Sequence, residues 1–340
     1  MISKIQSVYL KGWAVLFMMF LHFGNKFVCL EYQYSWSGND WEGAFQICVP
    51  IFLFLSGYGL TISAELKNER VLLIIEKQIK RALRLLRHYW FVTTPFILLA
   101  LLMRKFTWSW ESAILTITTL RCDWCPNAWF VWLYIELILL FPFFYSCLKR
   151  YRLVITVSSF IAIVVATKIV GKLEWVDDSS TILSRQVKML MNNIPIFIEG
   201  ILFAKYRLGE KIVSNLDNHV VIKCLIGGGG MIALSIVCRA KIPLVSITEL
   251  VHVPLCLLGL LMLLPQKNKL FSGICYIGKH STTLWFIHGY ICWTFLQSVI
   301  YSIRFWPLAF LLFVSISLIA SVILDRIHEV VKNRIVDRYS

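Results

Sequence analysis

The run YLKGWAVLFMMFLHF, Tyr9 to Phe23, decides how the whole chain is read. It is apolar enough for the interior of a bilayer, yet it carries a lysine near one end and a histidine near the other. A hydrocarbon core about 30 Å thick is crossed by roughly 20 apolar residues as a helix. Only a helix satisfies its own backbone groups there. Ionisable side chains within such a span normally face the bundle interior or a water-filled cavity. Lys11 and His22 are eleven residues apart, about 16 Å of rise with an angular offset of about 20°. They share one face, and that face is expected to look inward.

Runs of the same kind recur through all 340 residues, which are 58% hydrophobic with a mean hydropathy of +0.72; a soluble domain averages about 45–50% by a similar count. The expected spans are Val8–Phe23, Ala44–Ser63, His88–Met103, Ala128–Cys147, Leu153–Val170, Leu190–Ala204, Val221–Cys238, Val245–Leu264, Ser281–Tyr301 and Trp306–Leu324. No stretch is left for a separate soluble domain. The fold class expected is all-α: one polytopic membrane bundle over residues 1–340 with about ten transmembrane helices. The first segment is long and lacks a small-residue cleavage site, so no secretory signal peptide is expected.

The net charge of +15 suggests nucleic acid until its distribution is considered. Counted from the N-terminus, the even connections and both ends hold most of the basic residues. They include Lys4, Lys67, Arg70, Lys77, Lys80, Arg81, Arg84, Arg87, Lys149, Arg150, Arg152, Lys205, Arg207, Lys211, Lys267, Lys269, Lys279, Arg326 and Lys332. By the positive-inside rule both termini are cytoplasmic. The basicity is then mainly a topology signal, and no nucleic-acid partner is expected.

Most of the ten cysteines fall inside spans, where cysteine behaves as a small hydrophobe. Cys122 and Cys125, in RCDWCPNAW, belong to an outer connection. A lone C-x-x-C without a second ligand pair is no zinc signature, so free or disulfide-bonded thiols are expected and no metal. GGGG at 227–230 lies within a span, where glycine permits close helix packing or a kink.

Candidate chemistry lies inside the bundle and on the connection from Ala64 to Arg87. Partial desolvation favours neutral imidazole, and a neutral imidazole removes a proton from a hydroxyl at ordinary pH. His22 therefore has the character of a general base. The bland alternative is that Lys11 snorkels to the inner interface and His22 sits unused near the outer one. Lys77, Lys80, Arg81, Arg84, Arg87 and His88 share one helix face, which suits anionic lipid headgroups or the phosphates of a ligand.

The order Lys11-x10-His22, then VPIFLFLSGYGL, Arg81-x-x-Arg84, AWFVWLYIELILLFP, IPIFIEGILF and YIGKHSTTLWFIHGY resembles acyltransferase family 3. Its members are polytopic membrane acyltransferases, many of which O-acetylate surface polysaccharides, lipopolysaccharide or peptidoglycan. The resemblance implies that His22 is the catalytic histidine, that Lys11 stands where the family uses Arg or Lys, and that Arg81 and Arg84 are its cytoplasmic basic pair. It implies acetyl-CoA or another acyl-CoA as donor substrate, a glycan or other hydroxyl as acceptor, membrane lipids as surroundings, and a bacterial inner membrane. Some members append an extracytoplasmic catalytic domain; this chain is expected to act without one, alone or with partners.

Ser56 and Gly57, in the inner third of the second span, are candidate donor-binding residues, with close helix contact as the alternative. Glu136 is costly in a span unless paired. It either orients or charge-stabilises the His22 imidazole or serves as a structural hydrogen-bond partner of Tyr134, Asn127 or another helix. Glu199 and Gly200 resemble a packing motif with one buried acid. Depth counted along a straight ninth span puts His288 in the inner half, away from His22, as a packing or cavity residue. The groups from Arg81 through Lys11 and Ser56 to Glu136 and His22 are expected to line one channel. The rival class is a transporter or flippase of a lipid-linked glycan, which predicts related halves or paired broken helices. The sequence displays neither.

Overall fold

The computed structural model describes residues 2–29, 45–67, 70–121, 123–125, 127–150, 153–178, 180–208, 227–241, 245–263 and 268–339. Cys122, Arg152, Lys211 and Lys267, and the expected span starts at Ala44 and Val221, lie outside them. The described residues form helices and connections with no strand. In chain order the helices are α1 (Lys4–Cys29), α2 (Cys48–Leu66), α3 (Val71–Leu102), α4 (Trp110–Ile117), α5 (Trp129–Arg150), α6 (Leu153–Gly171) and α7 (Ile182–Lys205). After these come α8 (Gly229–Lys241), α9 (Val245–Leu263), α10 (Lys269–Lys279), α11 (Ser281–Gly289) and α12 (Trp306–Tyr339). A π-helical segment, Tyr290–Phe295, and a short helix, Gln297–Tyr301, continue α11. Among the described residues six helices are long and apolar enough to cross a membrane, and the shorter apolar helices 155–171, 229–238 and 248–263 accompany them. The chain is an all-α polytopic membrane protein. The side bearing the Lys/Arg-rich connections is called inner below.

α1 is apolar nearly all round, as a helix enclosed by others must be. It packs against α2, α9, α10, α11 and α12, and Tyr9, Leu10, Ala14, Val15, Met18 and Met19 are inaccessible. Its tightest contact is with α10, which buries Phe271, Ile274, Cys275 and Gly278, the i, i+3, i+4, i+7 stripe of an amphipathic helix. Tyr9 stacks on Phe271 with ring centroids 4.3 Å apart. At the crossing, a methyl on Gly12 would overlap the Ile274 carbonyl and one on Gly278 would overlap the Val8 carbonyl. Each glycine admits the backbone of the other helix. α2 and α7 repeat the arrangement, with Gly57 against the Phe197 carbonyl and Gly200 against the Phe54 carbonyl. Gly228 and Gly259 do so for α8 and α9, which is the packing role expected of the glycine run. This is the small-residue solution to helix association where lipid supplies no hydrophobic drive.

α3 is 32 residues long, about 48 Å at 1.5 Å per residue, and therefore longer than the hydrocarbon core. Its inner half carries the basic stripe. Ile74, Gln78, Ala82 and Tyr89 are buried, so Arg81 lies at the inner edge of the stripe while Lys80 and Arg87 face outward. His88 departs from the expected solvated face: its Nε2 lies 2.9 Å from Thr283 Oγ1. Cys125 is a buried free thiol, pushed up to about 11 by burial, and is uncharged at ordinary pH.

The reciprocal glycines carry a test. Gly12→Ala and Gly278→Ala should each destabilise the protein by about 1–3 kcal/mol through overpacking, read as a fall in the detergent thermal unfolding midpoint. Gly273→Ala in the same α10, where an added Cβ meets nothing, should be neutral or stabilising by up to about 1 kcal/mol.

Candidate active site

The α1–α10 crossing holds the end of α10, and α11 starts two residues after it, at Ser281. On α11 His288 comes beside His22: their ring centroids are 5.0 Å apart at 49°. The straight-span depth count, which kept them apart, is corrected here. It took Ser281 as a membrane-edge residue, whereas α10 docks alongside α1 and starts α11 at the depth of Lys11.

His288 is completely inaccessible. Its Nδ1 lies 3.0 Å from the Leu284 carbonyl and 2.9 Å from the Trp285 carbonyl. A carbonyl only accepts, so Nδ1 carries the proton and Nε2 bears the lone pair. Among the described residues that buried Nε2 has no hydrogen-bond partner. Trp293 completes a cluster with the two histidines: its ring lies 4.8 Å from that of His22 and 6.3 Å from that of His288, and its Nε1 donates to the His22 carbonyl at 3.3 Å. Trp293 belongs to the π-helical segment, a widened turn that recurs at functional sites. Gly289 admits the side chain of Asn127, whose Nδ2 would lie 2.6 Å from a Cβ there and has no partner of its own.

Inward of the histidine pair is a cavity of about 130 Å³ lined by Lys11, Ser56, Leu85, Tyr134, Ser281, Trp285 and neighbouring residues. Lys11 and Ser56 thus share a space, as expected of the inner part of the site. Ser56 Oγ also donates to the Phe52 carbonyl at 2.8 Å. Arg81 is close enough to act electrostatically on Lys11, and among the described residues no carboxylate pairs with Lys11. Two cations approach the cavity without an acid, an environment that favours an anion. Arg84 is exposed one turn further along the stripe.

Outward is a wider cleft of about 750 Å³, lined by Trp293, Gln297, Ser298, Tyr301, Lys105, Phe106 and adjoining residues. Tyr301 reaches α1 by donating to the Phe23 carbonyl at 3.0 Å. Trp293, which packs on His22, borders the outer cleft, and Lys11 of the same helix borders the inner cavity; His22 itself lines neither space.

Gly57 is absent from the lining of either space and is occupied by the contact with α7. Glu136 accepts from Trp132 Nε1 at 2.7 Å, and its Oε2 is buried without a partner. At 100° per residue it lies about 200° around α5 from the cavity-lining Tyr134, and its partner is neither Tyr134 nor Asn127. Trp293 and the His22–His288 contact carried no signal in the sequence, because both depend on the docking of α10–α11 against α1. The one available hint was YIGKHSTTLWFIHGY, with its second histidine.

The N-terminal turn of α11 is held by one carboxylate. Asp325 of α12 accepts from Thr283 Oγ1 through one oxygen and contacts His280 Nδ1 through the other, while the His88 and His328 rings pack nearby at 4.9 Å. This clamp ties α3, α11 and α12 together at the inner end of the helix that carries Trp285 and His288.

A family model described as an acyltransferase domain matches residues 8–326, nearly the whole chain. No curated protein and no solved structure matches it.

Asp325→Ala removes both acceptors of the clamp at once. A loss of about 1.5–3 kcal/mol, the scale of hydrogen bonds to a charged group, should appear in thermal unfolding; an unchanged midpoint would show that α11 is held by packing alone.

Proposed function

The chain belongs to acyltransferase family 3, and on that premise we propose that it is a membrane O-acyltransferase. It moves an acyl group, with acetyl as the expected one, from acyl-CoA to a hydroxyl of a surface polysaccharide or lipid-linked glycan. We place it in a bacterial inner membrane. The observation that carries the reading is the position of His22, in contact with His288 and with Trp293, which borders the outer cleft, on the same helix as Lys11, which borders the inner cavity. In this reading the acceptor hydroxyl reaches His22 from the cleft past Trp293.

In this reading Arg81 and Arg84 hold the phosphates of the donor at the inner surface, where guanidinium groups match phosphate oxygens. The acyl-bearing arm enters the cavity past Lys11 and Ser56. His22 takes the proton of an acceptor hydroxyl presented from the outer side. The oxygen attacks the thioester carbonyl, the carbon–sulfur bond breaks, and the proton passes from the imidazolium to the departing thiolate. His288, its lone pair fixed at Nε2 by the two backbone carbonyls, supplies a permanent acceptor beside His22. Glu136 supports Trp132 and takes no step.

The test uses the purified protein in detergent with labelled acetyl-CoA. His22→Ala should lower acyl transfer by about 10²–10⁴-fold, the range of a lost general base, with the unfolding midpoint unchanged. Full activity would remove His22 from the reaction, and substrate movement without covalent transfer would mark a transporter. Lys11→Met should raise the donor KM by about tenfold, and Lys11→Arg should restore much of it because the cation is kept.

A further inference from the structure

The outer cleft carries a feature that general base chemistry does not require. Its walls come from the end of the π-helical segment and from the turn that follows α3. Where the π turns stop, the Thr294 carbonyl faces outward and receives Lys105 Nζ, and the same ammonium lies 5.5 Å from the centre of the Phe295 ring. Lys105 thus has a built seat at the cleft, with ammonium donors to spare. Arg104 precedes it and Arg304 follows the cleft residue Ser302; both are exposed.

Lys105 lines the opening, and the exposed Arg104 and Arg304 stand within two residues of its lining; such a concentration runs against the charge bias of this side of the membrane, which disfavours Lys and Arg. Among the described residues none of the three pairs with a carboxylate, whereas Glu111, Asp123 and Asp177 each have a cation. Arg121 binds Glu111 at 2.8 Å and Asp123 at 2.7 Å, which holds the Asp123 carboxyl below the usual range, and Lys188 binds Asp177 at 2.9 Å.

The rest of the lining is suited to a ring bearing hydroxyls. Gln297 and the exposed Ser298 offer hydrogen bonds, and the Trp293 indole offers an aromatic surface whose other contact is His22. An acyl chain would leave the amide, hydroxyl and ammonium unpaired, at a cost. A neutral sugar would use the aromatic and hydroxyl groups but not the charge.

We propose that this cleft is the acceptor subsite and that it selects an anionic, hydroxyl-bearing acceptor whose carboxylate or phosphate is read by Lys105, with Arg104 and Arg304 at the rim. The inference rests on the reading of His22 as the base that faces the outer side. The same chemistry is presented by an acidic glycan and by the glycerophosphate headgroup of a lipid.

The experiment reads binding and needs no turnover, so its failure is separate from a failure of the His22 test. Ser298→Cys, an exposed and nearly isosteric change, is labelled in nanodiscs with a membrane-impermeant maleimide, and its rate is taken in excess of the unsubstituted protein. Trigalacturonate, glycerol 1-phosphate and maltotriose are the probes. Trigalacturonate or glycerol 1-phosphate should slow labelling about fivefold while maltotriose has little effect. Which of the two anions protects identifies the source as glycan or lipid headgroup. Adding Lys105→Gln should abolish the protection, and Lys105→Arg should keep it. Absence of protection by either anion, equal protection by maltotriose, or protection that survives Lys105→Gln would overturn the proposal.

Discussion

The structure depends on two backbones touching. Gly12 of α1 and Gly278 of α10 each leave room for the carbonyl of the other helix, so the helices approach more closely than any side chain allows. In lipid, where apolar surface gains nothing by leaving one helix for another, such contact and the dispersion it recovers are what fix helix position. Because the crossing fixes the end of α10 from which α11 starts, it also positions the site. α10 can be regarded as the reference from which α11 is measured against α1.

Two further constraints hold α11 once it is registered. At its inner end the Asp325 carboxylate gathers Thr283 and His280, and at its outer end Tyr290 donates to the Trp124 carbonyl at 2.7 Å. Between them the helix offers Trp285 to the inner cavity and His288 to His22. The spaces on either side differ in character as well as size. The inner one is small and lined by Lys11 with Arg81 nearby, whereas the outer one is broad and mixes aromatic, hydroxyl and cationic groups.

Much of this was legible in the residues. The shared face of Lys11 and His22 followed from eleven-residue spacing, and both side chains do turn into the bundle. The packing alternatives for Gly57, Gly200 and, within the 227–230 run, Gly228 followed from the absence of a side chain, which is what close contact requires; an added Cβ at Gly229 or Gly230 meets nothing. Glu136 was less readable, since a buried carboxylate announces only that it needs a donor and not which helix supplies it. Its donor, Trp132, is one turn away on its own helix. The fate of His88 was hidden for a related reason: its stripe is basic, but the strip edge at which it stands meets Thr283 and Asp325, far away in sequence.

By itself the sequence determined the membrane, the helices, the inward face of α1 and the sidedness of charge, because each is governed by transfer of local groups between water and lipid. Only the tertiary structure decided that His288 stands beside His22, that Trp293 packs on both and that the cavity and the cleft are separate spaces. Those relations rest on interhelical register, and register is set by where glycine lets one backbone meet another, a fact that no single helix contains.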